Sequence, residues 1–252
     1  MIDIHSHILP GVDDGSQDLE ESIRMARLAV ENGTEWIAAT PHFNLPDIWQ
    51  DPADLKRAYQ LLKDELDIQK IPLKVRLGME IFATENTAEL LKAGKLWGYE
   101  GTDYVLIEFD FDENPDLVFL ILEEVQEAGF RPIVAHPERY RFIQRDPEMV
   151  YEWRLNGFGT QVNKSSVLGR FGRGAEETAH EMLRRDLVTM IASDAHSSEI
   201  RTPDMREAWE MLVQEYSLEL ADRLMNVNPA RVLRGEPFEP GNPGSFFETY
   251  RR

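Results

Sequence analysis

Met1-Ile2-Asp3-Ile4-His5-Ser6-His7 opens the chain, and Ile8-Leu9-Pro10-Gly11-Val12-Asp13-Asp14-Gly15 follows it. The Ile2–His5 run reads as a short strand that ends in a histidine, with a second histidine two residues on. Side chains at i and i+2 of an extended segment share a face, so both imidazoles can meet one ion. The pattern of an apolar run ending in a chemically active residue recurs along the chain. Further strands are expected at Trp36–Thr40, Lys74–Met79, Tyr104–Glu108, Pro132–Ala135, Gly159–Val162 and Val188–Ala192. Helical spacing of apolar residues predicts helices at Asp18–Asn32, Ala53–Ile68, Pro115–Ala128, Pro147–Asn156, Ala175–Arg185 and Pro203–Tyr216, with a weaker signal at Glu85–Gly94. Strand and helix in alternation predict an α/β protein with a parallel sheet covered by helices, either doubly wound or closed as a seven-stranded barrel. No Gly-rich phosphate loop follows the first strand and no linker divides the chain, so residues 1–252 are expected to form a single domain. Residues 236–252 read as a tail that wraps the surface or moves.

Composition narrows the function. The 252 residues are 42% hydrophobic, enough for a sizeable core. A formal charge of −19 argues against nucleic acid or an anionic membrane surface as partner, since both reward clustered Lys and Arg. There is no cysteine, which excludes disulfides, thiolate metal sites and a cysteine nucleophile. The first residues carry no basic segment or long apolar stretch, and no run is apolar for the roughly 18 residues a membrane span needs. A cytoplasmic location without membrane insertion is the expectation.

Five of the six histidines, His5, His7, His42, His136 and His196, stand at or just past a predicted strand end. Glu80, Glu108 and Asp194 occupy equivalent positions, and Asp13 and Asp14 lie in the turn after the first strand. Sites in both candidate architectures gather at the C-terminal ends of the strands, so these residues should converge. Neutral imidazole with carboxylate and no thiolate suits Mn²⁺, Fe²⁺ or Zn²⁺. The sixth histidine, His180, falls mid-helix and reads as a solvated helix residue. Asp110 and Asp112 imitate a two-aspartate phosphotransferase motif but read more simply as a loop. The acidic pairs Glu20–Glu21, Glu123–Glu124 and Glu176–Glu177 read as solvated helix faces. Arg139 and Arg201 follow candidate ligands closely. Each is either a phosphate contact, for which a guanidinium is well shaped, or a surface ion pair, Arg139 with Glu138 or Asp146 for instance. Phe43 and Phe109 could flank a phenyl ring, although a strand-end Phe more commonly fills a core.

Together, His5-Ser6-His7, Thr40-Pro41-His42, Gly78-Met79-Glu80, Ile107-Glu108-Phe109, Ala135-His136-Pro137-Glu138-Arg139 and Ser193-Asp194-Ala195-His196 resemble the polymerase and histidinol phosphatase (PHP) superfamily. Met1 to Gly15 and His136-Pro137-Glu138-Arg139 resemble, within it, the manganese-dependent bacterial protein-tyrosine phosphatases of capsule and exopolysaccharide operons. The resemblance covers residues 1 to about 235. It implies a distorted (β/α)7 TIM-like barrel of PHP fold with three divalent ions, Mn²⁺ first and Fe²⁺ or Zn²⁺ as alternatives. It further implies that His5, His7, Glu80 and Asp194 hold one ion, Glu80, Glu108 and His136 a second, and Asp14, His42 and His196 a third. The choice of Asp14 over Asp13 comes from the resemblance; the residues alone leave both open. Arg139 and Arg201 correspond to phosphate-contacting arginines, with His196 as a ligand-side group able to assist the leaving oxygen. The implied reaction is attack of an activated water on phosphotyrosine in proteins, with the tail of a bacterial tyrosine kinase as partner. Three alternatives share parts of this pattern: a small-molecule phosphatase of the histidinol phosphatase kind, a metal hydrolase or deaminase on a similar barrel, and a metal-stabilised scaffold of a polysaccharide assembly complex.

Overall fold

The computed structural model describes residues 1–44 and 51–243. Its strands are β1 (Ile2–Asp3), β2 (Trp36–Ala39), β3 (His42–Phe43), β4 (Lys74–Leu77), β5 (Glu80–Phe82), β6 (Tyr104–Glu108), β7 (Arg131–Ala135), β8 (Gly159–Asn163) and β9 (Met190–Ala192). Beyond each of two expected strands, Trp36–Thr40 and Lys74–Met79, the chain resumes after a break as a second short strand. Pro41 has no N–H to give a ladder, and it separates β2 from β3. Gly78 and Met79 separate β4 from β5. Since β2 pairs with β4 while β3 pairs with β5, each split pair behaves as one stave.

Every ladder is parallel, in the orders β1-β2-β4 and β3-β5-β6-β7-β8-β9. The ring closes where Ser6, just past β1, bridges Ala195, just past β9. His7 N–H donates to Ala195 O at 2.8 Å and Asp194 N–H to His5 O at 2.9 Å across the same seam. The architecture is therefore the distorted (β/α)7 barrel, and the doubly wound alternative falls away.

The helices are α1 (Leu19–Glu31), α2 (Pro52–Ile68), α3 (Thr87–Lys92), α4 (Pro115–Glu127), α5 (Arg141–Arg145), α6 (Met149–Leu155), α7 (Lys164–Val167), α8 (Arg173–Arg184), α9 (Arg206–Glu215), α10 (Leu218–Asp222) and α11 (Asn228–Leu233). Local chemistry sets their ends. Asp18 caps α1 by accepting from Glu21 N–H, and Asn114 caps α4 by accepting from Asp116 N–H ahead of a first-turn proline. Ile23, Met25, Ala26 and Ala29 bury one face of α1 against a cluster that includes Leu62 and Leu66 of α2 and Ile37 and Ala39 of β2. Another cluster joins Ile4, Ala38, Leu106, Ile133, Ala135, Met190 and Ala192, from staves all round the ring, to Val232 and Leu233 of α11. Of the expected tail, residues 236–243 are described and lie against the barrel. Tyr104 Oη donates to Glu236 O and Arg154 to Pro240 O. Residues 244–252 lie outside the described part. Among the described residues no helix is long and apolar enough to cross a membrane.

Candidate metal centre

Six of the seven staves deliver a candidate ligand to one end of the ring, as the strand-end rule requires. His5 and His7 leave β1, His42 begins β3, Glu80 begins β5 and Glu108 ends β6. His136 follows β7, while Asp194 and His196 follow β9. Register aligns several of them directly: His42 pairs with Glu80, and Phe82 with Glu108.

Glu80 is the hub. Its Oε2 lies 3.2 Å from His5 Nε2, 3.3 Å from His7 Nε2 and 2.9 Å from His42 Nδ1, and its Oε1 lies 3.0 Å from His136 Nε2. Asp194 Oδ1 is 3.3 Å from His7 Nε2 and 3.6 Å from His5 Nε2. Glu108 approaches His42 at 3.4 Å and His136 at 3.6 Å. Asp14 Oδ1 sits 3.4 Å from His196 Nε2 and 3.6 Å from His42 Nε2. Two ligands each about 2.1 Å from a common ion stand about 3.0–3.4 Å apart, so these spacings match donors arranged around cations. Two buried atoms, Glu80 Oε2 and His196 Nε2, have no hydrogen-bond partner. The donor set is nitrogen and oxygen throughout, and it fits divalent ions.

Among the described residues, three groups bring candidate ligand atoms within 4.8 Å of one another: His5, His7 and Glu80; His42, Glu80 and Glu108; and His7, Asp14, His42 and His196. The grouping overlaps the implied one with four differences: Asp194 falls outside the first group and His136 outside the middle one, His42 stands in the middle group, and His7 joins the outer group. His42 can serve two groups because its Nδ1 faces Glu80 and Glu108 while its Nε2 faces Asp14.

The two neighbouring aspartates separate cleanly. Asp13 is buried and accepts from His7 Nδ1–H at 2.7 Å, from His42 N–H at 2.9 Å and from Gly15 N–H at 3.0 Å. It aims the His7 ring. Asp14 keeps a side chain that is 67% exposed and turned to His42 and His196. A Cβ on Gly15 would stand 2.3 Å from His7 O, so only glycine lets this turn lie across the His7 backbone.

The remaining stave, β8, supplies support. His5 Nδ1–H donates to Gln161 Oε1 at 2.7 Å, Gln161 Nε2 donates to Asn163 Oδ1 at 2.8 Å, and Asn163 Nδ2 donates to Asp194 Oδ2 at 2.6 Å. This amide chain makes Nε2 the lone-pair nitrogen of the neutral His5 ring and turns it inward. Tyr140 Oη donates to Ala135 O and accepts from Phe109 N–H, tying the strand ends that carry His136 and Glu108. Sequence reading missed these residues. The available signal was a wholly buried strand, Gly159–Asn163, with Gln161 and Asn163 on one face.

Backbone strain collects here. His136 and Asp194 adopt φ of 35° and 50°, a left-handed conformation costing about 1–3 kcal/mol. Electrostatics are equally uneven. Burial opposes charge on His42, but Glu80 and Glu108 outweigh it and lift the imidazole to about 10. His7 is pushed up against the same burial by Asp13, and His5 by Glu80 and Asp194. Burial would raise Glu80 and Asp194, yet the surrounding imidazoles hold both well below the usual carboxylate range. His196 is pushed down by burial. Protons therefore occupy this centre wherever cations do not.

Arg201 and Arg139 both point at Asp194 Oδ2, at 2.5 and 3.6 Å. The loop after His196 folds back, with His196 N–H donating to Arg201 O at 2.8 Å. The surface ion pair considered for Arg139 is absent from the described contacts. Glu138 is instead buried and accepts from Asn163 N–H and Ser166 Oγ–H. Three other sequence expectations resolve as follows. Asp110 and Asp112 form a turn, with Asp112 N–H donating to Asp110. His180 is part-buried between Tyr216 Oη and Val167 O rather than solvated, because α8 packs that face inward. Phe43 and Phe109 are core residues, 6% and 2% exposed.

The sequence profile of the capsular polysaccharide synthesis family CpsB/CapC matches residues 1–234. The chain belongs to the CpsB/CapC family. Among CpsB/CapC relatives, the tyrosine-protein phosphatase YwqE of Bacillus subtilis (strain 168) is 36% identical over 236 residues, 94% of this chain and 92% of that protein. The tyrosine-protein phosphatase CpsB of Streptococcus agalactiae is 30% identical over 240 residues, 93% of this chain and 98% of its own. A solved structure from work on YwqE and Streptococcus pneumoniae CpsB, described as metal-dependent tyrosine phosphatases, superposes with a TM-score of 0.90 at 36% identity, covering 96% of this chain and 99% of that one. Histidinol phosphate phosphatase from Lactococcus lactis superposes with a TM-score of 0.57 at 12% identity over 88% of this chain and 95% of its own, and so shares the fold.

Proposed function

We propose that the protein is a metal-dependent phosphomonoesterase that hydrolyses phosphotyrosine in proteins. It acts as one cytoplasmic domain in capsule or exopolysaccharide synthesis, on the tail of a bacterial tyrosine kinase. One observation supports the reading: nine candidate nitrogen and carboxylate ligands cluster at one end of the ring, and two guanidiniums converge on one of them, Asp194. His5, His7, Glu80 and Asp194 would hold one divalent ion, Glu80, Glu108 and His136 a second, and Asp14, His42 and His196 a third, with Mn²⁺ preferred and Fe²⁺ or Zn²⁺ compatible. When bound, such ions supply Lewis acidity and make water nucleophilic near pH 7.

The protein's own groups do the rest. Arg139 and Arg201 bind the phosphoryl oxygens two at a time and offset the charge that builds on them during transfer. Asp194 Oδ2 holds both guanidiniums in waiting at the edge of the ligand cluster. Gln161 and Asp13 fix the tautomers of His5 and His7, so each ring presents a lone pair inward. A phenol has a pKa of about 10, so a tyrosine leaving group asks little of a general acid. His196, beside Arg201, is the proposed partner for the departing oxygen. The test compares phosphotyrosyl peptides, phosphoseryl peptides and histidinol phosphate at equal concentration, using chelator-stripped protein before and after Mn²⁺. Activity should return with Mn²⁺ and favour phosphotyrosine. Histidinol phosphate ahead by an order of magnitude, or full activity in stripped protein, would overturn the proposal.

A further inference from the structure

Arg139 does not stand alone at the mouth of the site. Its guanidinium carbon lies 4.5 Å from the centroid of Phe111 and 4.8 Å from that of Phe171, one ring in each of two separate loops. Phe171 also lies 5.5 Å from the guanidinium carbon of Arg201. Phe111 in turn packs edge-on to His136 at 5.9 Å and against Tyr140 at 6.0 Å, which ties it to the fixed end of β7. Phe171 comes from the Gly169–Gly172 turn between α7 and α8, outside every motif that supplies a ligand. Both rings are half-buried.

Two like charges aimed at one carboxylate oxygen repel each other, and each sits on a long side chain with much rotamer freedom to lose. The negative face of an aromatic ring offsets both problems, because it attracts a guanidinium and confines its plane. We propose that Phe171 is a positioning residue that holds Arg139 and Arg201 together as one phosphate clamp, with Phe111 backing Arg139 from the other side. The proposal rests on the phosphatase reading in one respect only, that the two arginines bind a phosphoryl group. The ligand of the clamp is a tetrahedral oxyanion, and the ring touches the arginines rather than the reacting atoms.

The experiment uses full-length, Mn²⁺-loaded protein and calorimetric titration with inorganic phosphate and orthovanadate. Phe171→Leu keeps bulk and removes the ring face. It should bind phosphate about five- to thirtyfold more weakly, the combined effect of two part-exposed cation–π contacts. Metal content and melting temperature should stay at wild-type values. Phe171→Tyr should restore binding, since it restores the ring. In the turnover assay the loss should fall more on KM than on kcat. With diamagnetic Zn²⁺ in place of Mn²⁺, the Nε–Hε resonances of Arg139 and Arg201, assigned with single Arg→Lys variants, should lose the Phe171 part of their ring-current shift in Phe171→Leu and regain it in Phe171→Tyr, while Arg139 keeps the part due to Phe111. Unchanged phosphate affinity in Phe171→Leu, or a Tyr variant as weak as the Leu variant, would overturn the proposal. Wild-type protein that binds phosphate tightly yet leaves phosphotyrosine intact would instead retire the proposed function and leave the clamp standing.

Discussion

At the scale of single residues, the candidate ligands and the two arginines have separate proposed roles, cations for one set and phosphate for the other, and substitutions should separate them. Arg139→Ala or Arg201→Ala should retain metal and lose about 1.5–3 kcal/mol of charged hydrogen bonding, roughly tenfold to a hundredfold in kcat/KM. Elemental analysis beside steady-state kinetics checks this, and loss of metal would assign that arginine a structural role. Glu80→Ala should be the most damaging single change, because Glu80 meets four imidazoles. The two aspartates offer a sharper contrast. Asp14→Asn removes a candidate ligand and should lower metal occupancy directly. Asp13→Asn leaves one acceptor oxygen where two served the Gly15 amide and the N–H groups of His42 and His7. It disturbs the aim of His7 without removing a candidate ligand, with about a tenfold to hundredfold loss in metal affinity as for other outer supports. Equal occupancy in both variants would refute the division of labour. Sequence left these aspartates unresolved because adjacent residues of a turn carry no face; the fold resolves them through His7.

At the scale of elements, the strand signals were strong because parallel strands buried on both faces read as continuous apolar runs. Tyr104–Glu108 was legible to the residue, and all seven staves were located. The breaks within two of them were not, since they depend on pairing between neighbours. The short helices α5, α7, α10 and α11 also escaped, because four to six residues cannot establish a period. The candidate ligands that the fold brings together were legible as strand-end histidines and carboxylates, since few residue types carry that chemistry. The amide support on β8 was not, because Gln161 and Asn163 acquire meaning only beside His5 and Asp194. Asn163→Leu tests that support. It takes one donor from Asp194 Oδ2, which keeps Arg201, and leaves the buried Gln161 Nε2 without its acceptor. It should cost about 1–3 kcal/mol in stability of the metal-free protein. Thermal or urea denaturation in chelator measures it, and a neutral result would make the amide chain incidental.

At the scale of the whole molecule, protons and cations compete for one centre. An imidazole raised above its unfolded value, as His42 is to about 10, contributes stability fully present below about pH 6.5. That contribution fades as pH climbs through the raised value. Metal-free protein should therefore lose stability on that climb, while Mn²⁺ binds better as protons leave. Lys164, which burial pushes down to about 8, titrates alike with and without metal and cancels from the comparison. The rise in melting temperature on adding Mn²⁺ should be larger at pH 8.5 than at pH 6.5; a smaller one would reverse the sign argued here. The charge of −19 makes a second claim. Basic phosphotyrosyl peptides should outpace acidic ones at low ionic strength, with the gap closing as salt is added. Peptides differing only in flanking charge check it. The seam between Ser6 and Ala195 carries a consequence for biosynthesis. His5 and His7 leave the ribosome before Asp194 and His196, which follow about 190 residues later. Contacts this far apart in sequence form late and slowly. A nascent chain thus has no assembled centre to load with metal, and hydrolytic power arrives only when the last stave docks against the first.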